Sequence, residues 1–240
     1  MTGSILHHVL ADGVHHLEFV RPAQRNALGQ REYSRLAEEL ELLNEDRCRA
    51  VVLSGRGEAF CAGNELSEFE TAWPQPVHGP VYRFLAALNA CPSVVIAAVH
   101  GAAVGIGATM LLHCDIVLAQ RDAFLKFPFV SLGISVEGGS SLLLPRRVGH
   151  LRAMDILLTG RRVPADEACR LGLVTEVADE PVVPHALERA RTIARLDPQA
   201  VRATKRQLCA WQSQVLPGLF EEEIQTINQL LVERRSRERP

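Results

Sequence analysis

The sequence feature that most constrains the fold is the stretch at residues 93–99, which is rich in β-branched residues and does not alternate polar with apolar side chains. A strand of this kind is covered on both faces, which is typical of parallel sheets crossed by helices. Shorter apolar runs at 50–53 and 116–118 repeat the pattern. Helical spacing precedes each run, at 30–46, 80–89 and 105–113. This alternation predicts an α/β fold with right-handed crossovers.

The two ends of the chain differ from this middle part. An Asp12-Gly13 turn between apolar runs at 5–10 and 14–20 predicts a β-hairpin at the start. From about Ser140 onward helical patterns dominate, and one predicted strand, 173–177, interrupts them. The predicted helices of this region are 140–148, 151–158, 165–171, 183–196, 198–211 and 219–235. We predict an α/β core over 1–190 and a helical C-terminal portion over 191–240, within the same domain unit.

Composition and charge argue against several classes of function. The 240 residues allow a sizeable core, and a formal net charge of −2 gives no basic field for nucleic acid or acidic membranes. The first residues predict no signal peptide, and every long apolar run is interrupted by a polar residue, so we expect a cytoplasmic protein without membrane partners. The six cysteines include no C-x-x-C pair, and the histidine pairs 7–8 and 15–16 lie on alternating strands, so we expect no metal site.

Two glycine-bearing segments, 60–66 and 101–109, point to chemistry. Each places a glycine bend after an apolar run, where backbone N–H groups can turn into a cavity and form an oxyanion hole. Gly105-Ile106-Gly107 is a poor dinucleotide fingerprint, because Met110 stands where the third glycine would be. The segment does follow a predicted strand and open a predicted helix, which suits a developing negative charge. The alternative is that both turns are only tight connections.

With these segments, the chain resembles the enoyl-CoA hydratase/isomerase (crotonase) superfamily. The resemblance implies a crotonase-like spiral of (ββα) repeats with a helical C-terminal portion, and an acyl-CoA thioester as substrate. Coenzyme A is then part of the substrate, and no separate cofactor is implied. Carried over by position, the oxyanion-hole donors are the backbone N–H groups of Asn64 and Ile106. The matching stretches are 22–28, 60–66, 94–115, 133–149, 159–161 and 165–177, which cover most of the chain.

The carboxylates decide which reaction of this family to expect. Hydratases of the family place two glutamates around the substrate double bond, and the resemblance puts those positions at Thr109 and Phe129, which cannot transfer a proton. Glu137 stands where isomerases and some other members place an acid. One carboxylate suffices to move a proton from C2 of a 3-enoyl thioester to C4, so we predict an isomerase. The apolar surroundings of Glu137 predict a raised pKa. Its alternative role is a structural acid near a helix start.

The resemblance also implies substrate contacts. Arg25 would lie along the coenzyme A nucleotide and pair with phosphate, although a solvated arginine is an almost equal alternative. Glu65 is expected to be structural, and Asp115 to hold a turn. The predicted substrate-binding residues are Arg25, Ala27, Ala62, Gly63, Asn64, Glu65, Leu66, Gly105, Thr109 and Phe129.

The resemblance further implies a homotrimer or a hexamer built from two trimers. An apolar stripe at helical spacing is predicted to contact neighbouring subunits, the alternative being a core contact within the chain. Two rival functions stay open: a divergent family member (hydratase, hydrolase or dehalogenase-like) acting on another acyl-CoA, and a non-catalytic module that binds CoA esters. The stripe consists of Leu216, Leu219, Phe220, Ile224, Ile227, Leu230 and Leu231.

Overall fold

The structure, a computed structural model, describes residues 3–43, 48–179 and 181–238. In these residues the strands are β1 (Ile5–Val9), β2 (Val14–Phe19), β3 (Ala50–Gly55), β4 (Val94–Val99), β5 (Ala102–Val104), β6 (Ile116–Gln120), β7 (Phe124–Lys126), β8 (Arg162–Pro164) and β9 (Glu176–Ala178). The α-helices are α1 (Gln30–Leu42), α2 (Leu66–Ala72), α3 (Pro80–Ala90), α4 (Ile106–Thr109), α5 (Ser140–Val148), α6 (His150–Thr159), α7 (Ala165–Arg170), α8 (Val182–Ala194) and α9 (Pro198–Glu238).

The main sheet has the strand order β1-β2-β3-β4-β6-β9. β1 and β2 form the antiparallel hairpin that the Asp12-Gly13 turn predicts, and every later neighbour in the sheet is parallel. A smaller sheet, β5-β7-β8, places β5 parallel to β7. The predicted α/β fold is therefore confirmed.

The central strand β4 shows why its sequence does not alternate. Val95 and Val99 face the main hydrophobic core, whereas Val94 and Ile96 face a second cluster that includes Ala186 of α8. Both faces are thus covered, and a polar residue on either face would lose its water without gaining a partner. The strand predicted at 93–99 is confirmed, apart from its first residue.

The C-terminal helix corrects the sequence-based prediction. Helices predicted at 198–211 and 219–235 form one continuous helix, α9, with Pro217 inside it. A proline within a helix costs about 3 kcal/mol in propensity. Leu216 and Phe220, on either side of Pro217, are both fully buried against the same core, and this packing outweighs the local penalty. The boundary predicted at residue 190 falls inside α8.

Three other predicted elements differ in extent. The strand predicted at 173–177 begins only at Glu176, because Leu173 turns back to donate its N–H to the Ala168 carbonyl (2.9 Å). The helix predicted at 105–113 is the short α4 followed by a 3-10 turn at Met110–His113. The helix predicted at 30–46 ends at Leu42, and the last three residues of that prediction lie outside the described residues.

The predicted subunit-contact stripe on α9 packs inside its own chain. Leu216, Phe220 and Ile227 are fully buried in the main core, and Ile224 and Leu231 are nearly so. The core contact that was the alternative is therefore correct for these residues, and the stripe gives no support to an assembly. Long helices bury one apolar face wherever a core is available, which the sequence pattern alone does not identify.

Within each histidine pair of β1 and β2, the two side chains face opposite sides of the sheet, as predicted. His7 bonds through Nε2 to His15 Nδ1 (2.8 Å) and through Nδ1 to Glu39 (2.7 Å), whereas His8 contacts Glu18 (3.4 Å). None of the helices in the described ranges combines the length and the apolar character needed to cross a bilayer.

Candidate active site

The two glycine segments lie directly against each other. Cys61 and Ala103 form a parallel bridge in which the Val104 N–H donates to the Cys61 carbonyl (2.9 Å). A Cβ atom on Gly63 would lie 3.0 Å from the Val104 oxygen, and one on Gly105 would lie 3.9 Å from the Gly63 Cα. Gly63 and Gly105 also have positive φ angles of 105° and 55°. Glycine at both positions therefore permits the close contact and the bend.

Each turn presents one of the predicted donors. Leu28 donates its N–H to the Gly63 oxygen (2.8 Å) and accepts from Glu65 (2.9 Å), which places Asn64 between two bonded groups. Ile106 is the first residue of α4, where a backbone N–H has no partner within the helix. In the described parts of the chain, neither the Asn64 nor the Ile106 N–H donates to a backbone carbonyl. Both remain available to an oxygen of a ligand.

Glu137 is carried to these turns by a third glycine segment. Gly138 and Gly139 both have positive φ angles, 65° and 73°, and a Cβ atom on Gly138 would lie 3.2 Å from Thr109 of α4. The Glu137 side chain is only 2% exposed. Its buried Oε1 has no hydrogen-bond partner in the described residues, so the carboxyl group retains an open acceptor site.

The pKa of Glu137 is raised to about 8: burial is the largest cause, the negative charge of Glu223 adds to it, and a hydrogen bond from the Asn64 side chain opposes both. The Asn64 amide is oriented by the buried Tyr33, whose hydroxyl donates to Asn64 Oδ1. This bond leaves the Asn64 NH2 group for Glu137. The raised pKa agrees with the expectation from the apolar surroundings, and it makes Glu137 a stronger base than an ordinary glutamate.

The backbone of the Glu137 turn is held by buried side chains. Ser140 Oγ donates to the Glu137 carbonyl (2.6 Å), and His113 Nε2 donates to the Gly138 carbonyl (2.7 Å). Burial lowers the pKa of His113 to about 4, so the ring is neutral and carries its proton on Nε2. Glu223, on α9, accepts the Gly139 N–H (2.7 Å). Both the carbonyl groups and the Gly139 N–H of this turn are thereby fixed by hydrogen bonds.

Sequence reasoning missed Tyr33, His113 and Glu223. The sequence pattern places Tyr33 only on the apolar face of the helix predicted at 30–46. It places His113 only at the end of the helix predicted at 105–113. Glu223 had a readable signal: it is three residues after Phe220 and four before Ile227, on the apolar stripe itself. An acid on such a stripe is buried and needs partners, and this points to a specific role.

The two positions that the resemblance assigns to the glutamates of hydratases hold side chains without a carboxylate. Thr109 is fully buried, and its hydroxyl donates weakly to the Gly105 and Ile106 carbonyls (both 3.4 Å). Phe129 is buried in the main hydrophobic core. Neither group ionises, whereas Glu137 brings a buried carboxyl group beside the two glycine turns.

The remaining predicted residues frame this site. Arg25 is exposed, and its carbonyl accepts the Ala62 N–H (2.9 Å), which brings it to the first glycine turn. Glu65 pairs with Arg21 (2.9 Å), in keeping with the structural role expected for it. Ala27 is buried between the turn at Arg25 and Asn26 and the bridging residue Leu28. The side chain of Leu66 lies outside what the structure describes.

Asp115 holds a turn, as expected. Its carboxylate accepts the Val95 N–H (2.7 Å) and pairs with Lys205 of α9 (2.6 Å). It thereby joins β4, the start of β6 and the C-terminal helix. The arrangement as a whole offers two backbone N–H groups on adjoining turns and one buried carboxyl group of raised pKa.

Comparison with known proteins gives a consistent result. A family model described as enoyl-CoA hydratase/isomerase matches residues 10–239. A probable enoyl-CoA hydratase of Mycobacterium tuberculosis is 33% identical over 198 residues, covering 82% of this chain and 79% of that protein. The human enoyl-CoA delta isomerase 2 is 33% identical over 202 residues, covering 81% of this chain and 51% of that protein.

A solved structure gives the same result for the fold. The crystal structure of an enoyl-CoA hydratase/isomerase from Pseudoalteromonas atlantica matches with a TM-score of 0.90 and 35% identity, covering 99% of this chain and 98% of that one. The predicted fold class and resemblance are thereby confirmed. The names of the relatives include both hydratases and an isomerase, so they leave the reaction to be argued from the site.

Proposed function

The chain belongs to the enoyl-CoA hydratase/isomerase (crotonase) family, and from this we propose that it moves the double bond of an enoyl-CoA thioester from C3 to C2. The observation that carries the proposal is the identity of the acidic groups. Glu137 lies beside the two glycine turns, whereas the positions that hold the glutamates of hydratases are Thr109 and Phe129. Water addition needs groups that orient and activate a water molecule, and a 1,3-proton shift needs a single base.

In the proposed reaction, the thioester oxygen accepts hydrogen bonds from the Asn64 and Ile106 N–H groups. The Glu137 carboxylate removes a proton from C2, and the electron pair spreads over the dienolate and the thioester oxygen. The same carboxyl group then returns the proton to C4. The double bond ends between C2 and C3, the carboxylate is restored, and protons and electrons balance without a co-reactant.

Typical energetic contributions support one general base and two oxyanion-hole donors as the catalytic groups. A positioned general base contributes typically ~10²–10⁴-fold to a rate. Loss of one oxyanion-hole donor costs about 3–4 kcal/mol in enzymes where it has been measured. Glu137 must be ionised to accept the C2 proton, and its pKa of about 8 raises its affinity for that proton. The open acceptor site at Oε1 is where the proton would be received.

Binding of the thioester and assembly belong to the same proposal. We take coenzyme A as part of the substrate, with no separate cofactor, and place its nucleotide along Arg25 beside Ala62 and Ala27.

A homotrimer or hexamer gains support from an exposed apolar patch, because large exposed patches mark contact surfaces. This α6 patch consists of Val130, Leu132, Leu151, Met154 and Leu158, on α6 and the neighbouring 3-10 turn.

The proposal is tested by comparing two reactions of the same preparation. A 3-enoyl-CoA should be converted to the conjugated 2-enoyl-CoA, whose absorbance appears, at a rate at least ~100-fold above hydration of a 2-enoyl-CoA. Saturated acyl-CoA serves as the control for thioester hydrolysis. Comparable rates of hydration and isomerisation would contradict the proposal, and turnover of the saturated thioester alone would assign the site to hydrolysis.

A further inference from the structure

Glu223 is an acidic residue in an apolar environment on the C-terminal helix. Glu223 is only 5% exposed, and the residues before and after it on the same face of α9, Phe220 and Ile227, are fully buried. Burying a carboxylate is costly unless donors compensate it. The contacts of Glu223 must therefore offset the cost of burying its carboxylate.

Among the described residues, the hydrogen bonds that Glu223 accepts come from the segment that carries Glu137. The Gly139 N–H donates to Oε2 (2.7 Å), while the Ser141 hydroxyl and N–H donate to Oε1 (2.6 Å and 3.3 Å). Gly139 is the N-cap residue of α5 and Ser141 lies in its first turn, where N–H groups lack partners in the helix. Glu223 therefore acts as the cap of α5 from another element, in the place where a negative charge is favourable.

We propose that Glu223 is a positioning residue for the proton transfer: it fixes the Glu137–Gly139 turn through the start of α5, and its charge acts on the Glu137 carboxylate. The proposal rests on the proposed function of Glu137. In this arrangement the C-terminal helix, remote in sequence, sets both the direction and the proton affinity of the base. Glu223 touches neither substrate nor transferred proton.

The electrostatic part follows from the charges around Glu137. The ionisable groups that act on it or contact its turn are Tyr33 of α1, Cys61 after β3, His113 of the 3-10 turn and Glu223 of α9. Burial raises the pKa of Tyr33 well above its ordinary value, raises that of Cys61 to about 12 and lowers that of His113 to about 4. Tyr33, Cys61 and His113 are therefore neutral near pH 7, and the charge that acts on Glu137 is that of Glu223.

The three donors of Glu223 favour its charged form. Burial raises the pKa of Glu223, the hydrogen bonds from Ser141 and Gly139 oppose the rise, and the charge of the adjacent Glu222, the smallest of these effects, adds to it. Hydrogen bonds to the ionised form favour it, whereas the open Oε1 of Glu137 receives no such bond. Of two neighbouring buried carboxyl groups, the one with more donors ionises first, and the other retains its proton to a higher pH.

The test measures the titration of Glu137 without substrate. Infrared difference spectroscopy over pH follows the carbonyl band of the protonated acid, and Glu137→Gln identifies the band because the variant lacks it. We expect a wild-type midpoint near pH 8. In Glu223→Gln, which keeps the size of the side chain but removes its charge, the midpoint should fall by roughly half a pH unit or more.

The matched control is Glu222→Gln, which removes the same charge from the adjacent, exposed position. Its midpoint should stay at the wild-type value, because solvent screens an exposed charge. An unmoved midpoint in folded Glu223→Gln, or an equal shift in both variants, would overturn the proposal. The measurement needs no catalysis, so an absence of isomerase activity would remove the proposed function and leave this result standing.

A second variant tests positioning and remains informative if Glu223→Gln does not fold. Glu223→Asp keeps the charge and withdraws it by one methylene group from Gly139 and Ser141. Turnover at high pH should fall roughly tenfold or more with KM nearly unchanged, because small misplacements of a catalytic group are costly. Wild-type turnover in folded Glu223→Asp would overturn the positioning role.

Discussion

Glu137, the proposed base, shows at the scale of one residue that a raised pKa is obtained at a cost in stability. The chain encloses its carboxyl group among apolar side chains and gives it one opposing donor, the Asn64 amide. Such a site favours the protonated acid in the folded state. A group with a raised pKa is a better proton acceptor and at the same time weakens the fold whenever it is ionised.

This cost gives a pH-dependent prediction for stability. The folded pKa of Glu137, about 8, lies above its ordinary value of 4.5, so its favourable contribution is complete below about pH 4.5 and is lost as the pH rises through 8. Glu137→Gln is neutral throughout and should therefore melt at a higher temperature than wild type above pH 8, by an amount equivalent to a few kcal/mol. The difference should shrink toward pH 5. A difference in melting temperature that stays constant between pH 5 and pH 9 would contradict the buried-acid account.

At the scale of elements, the site depends on the contact between two turns, and glycine makes that contact possible. A Cβ atom on Gly107 would lie 2.5 Å from the Cys61 carbonyl oxygen and 2.9 Å from the Cys61 Cβ, well inside contact distance. α4 would then have to move away from the first glycine segment. Both donor turns therefore depend on a residue that bears no reactive group.

Two glycine-to-alanine variants separate this close contact from general helix propensity. Gly107→Ala should lower the free energy of unfolding by about 1–3 kcal/mol and reduce turnover, because overpacking displaces one turn from the other. Gly218→Ala, inside α9, adds a Cβ atom where no atom lies within 4 Å, and should raise stability by about 0.5–1 kcal/mol. Denaturant unfolding measures both values. Equal effects of the two substitutions would show that the turns do not need the contact.

The sequence predicts these elements unevenly, for physical reasons. Strands 50–53, 93–99 and 116–118 are readable because coverage on both faces removes alternation. The continuity of α9 through Pro217 cannot be read from the sequence, because the packing of distant residues outweighs the local cost of a proline inside a helix. The site divides in the same way: the glycine turns and Glu137 are local patterns, whereas the contacts of Tyr33 with Asn64 and of Glu223 with Gly139 join residues far apart in the sequence.

At the scale of the whole molecule, α9 fastens the C-terminal portion to the catalytic core. Phe220 is fully buried in the main core, Lys205 pairs with Asp115, and Glu223 caps α5. With the α9 stripe used inside the chain, the proposed association rests on the α6 patch. Leu151, in this patch, is 83% exposed.

The assembly prediction concerns this patch. Light scattering at micromolar concentration should give three or six times the mass of one chain. Leu151→Glu should reduce that mass, because a charge buried in a contact without a partner is unfavourable. Val9→Glu, at an exposed apolar residue on β1 outside the patch, is the control and should leave the mass unchanged. A wild-type mass of one chain would refute the trimer, and an assembly insensitive to Leu151→Glu would move the contact elsewhere.

The central claim, that the Glu137 carboxylate moves the proton, is tested most directly by steady-state kinetics of Glu137→Gln with a 3-enoyl-CoA. Glutamine keeps the shape of the side chain and cannot accept the proton, so kcat should fall by about 10²-fold or more while KM stays within about twofold of wild type. Glu222→Gln, with its exposed carboxylate, should retain wild-type kinetics. A Glu137→Gln enzyme that keeps more than about a tenth of the wild-type kcat would contradict the assignment of Glu137 as the base.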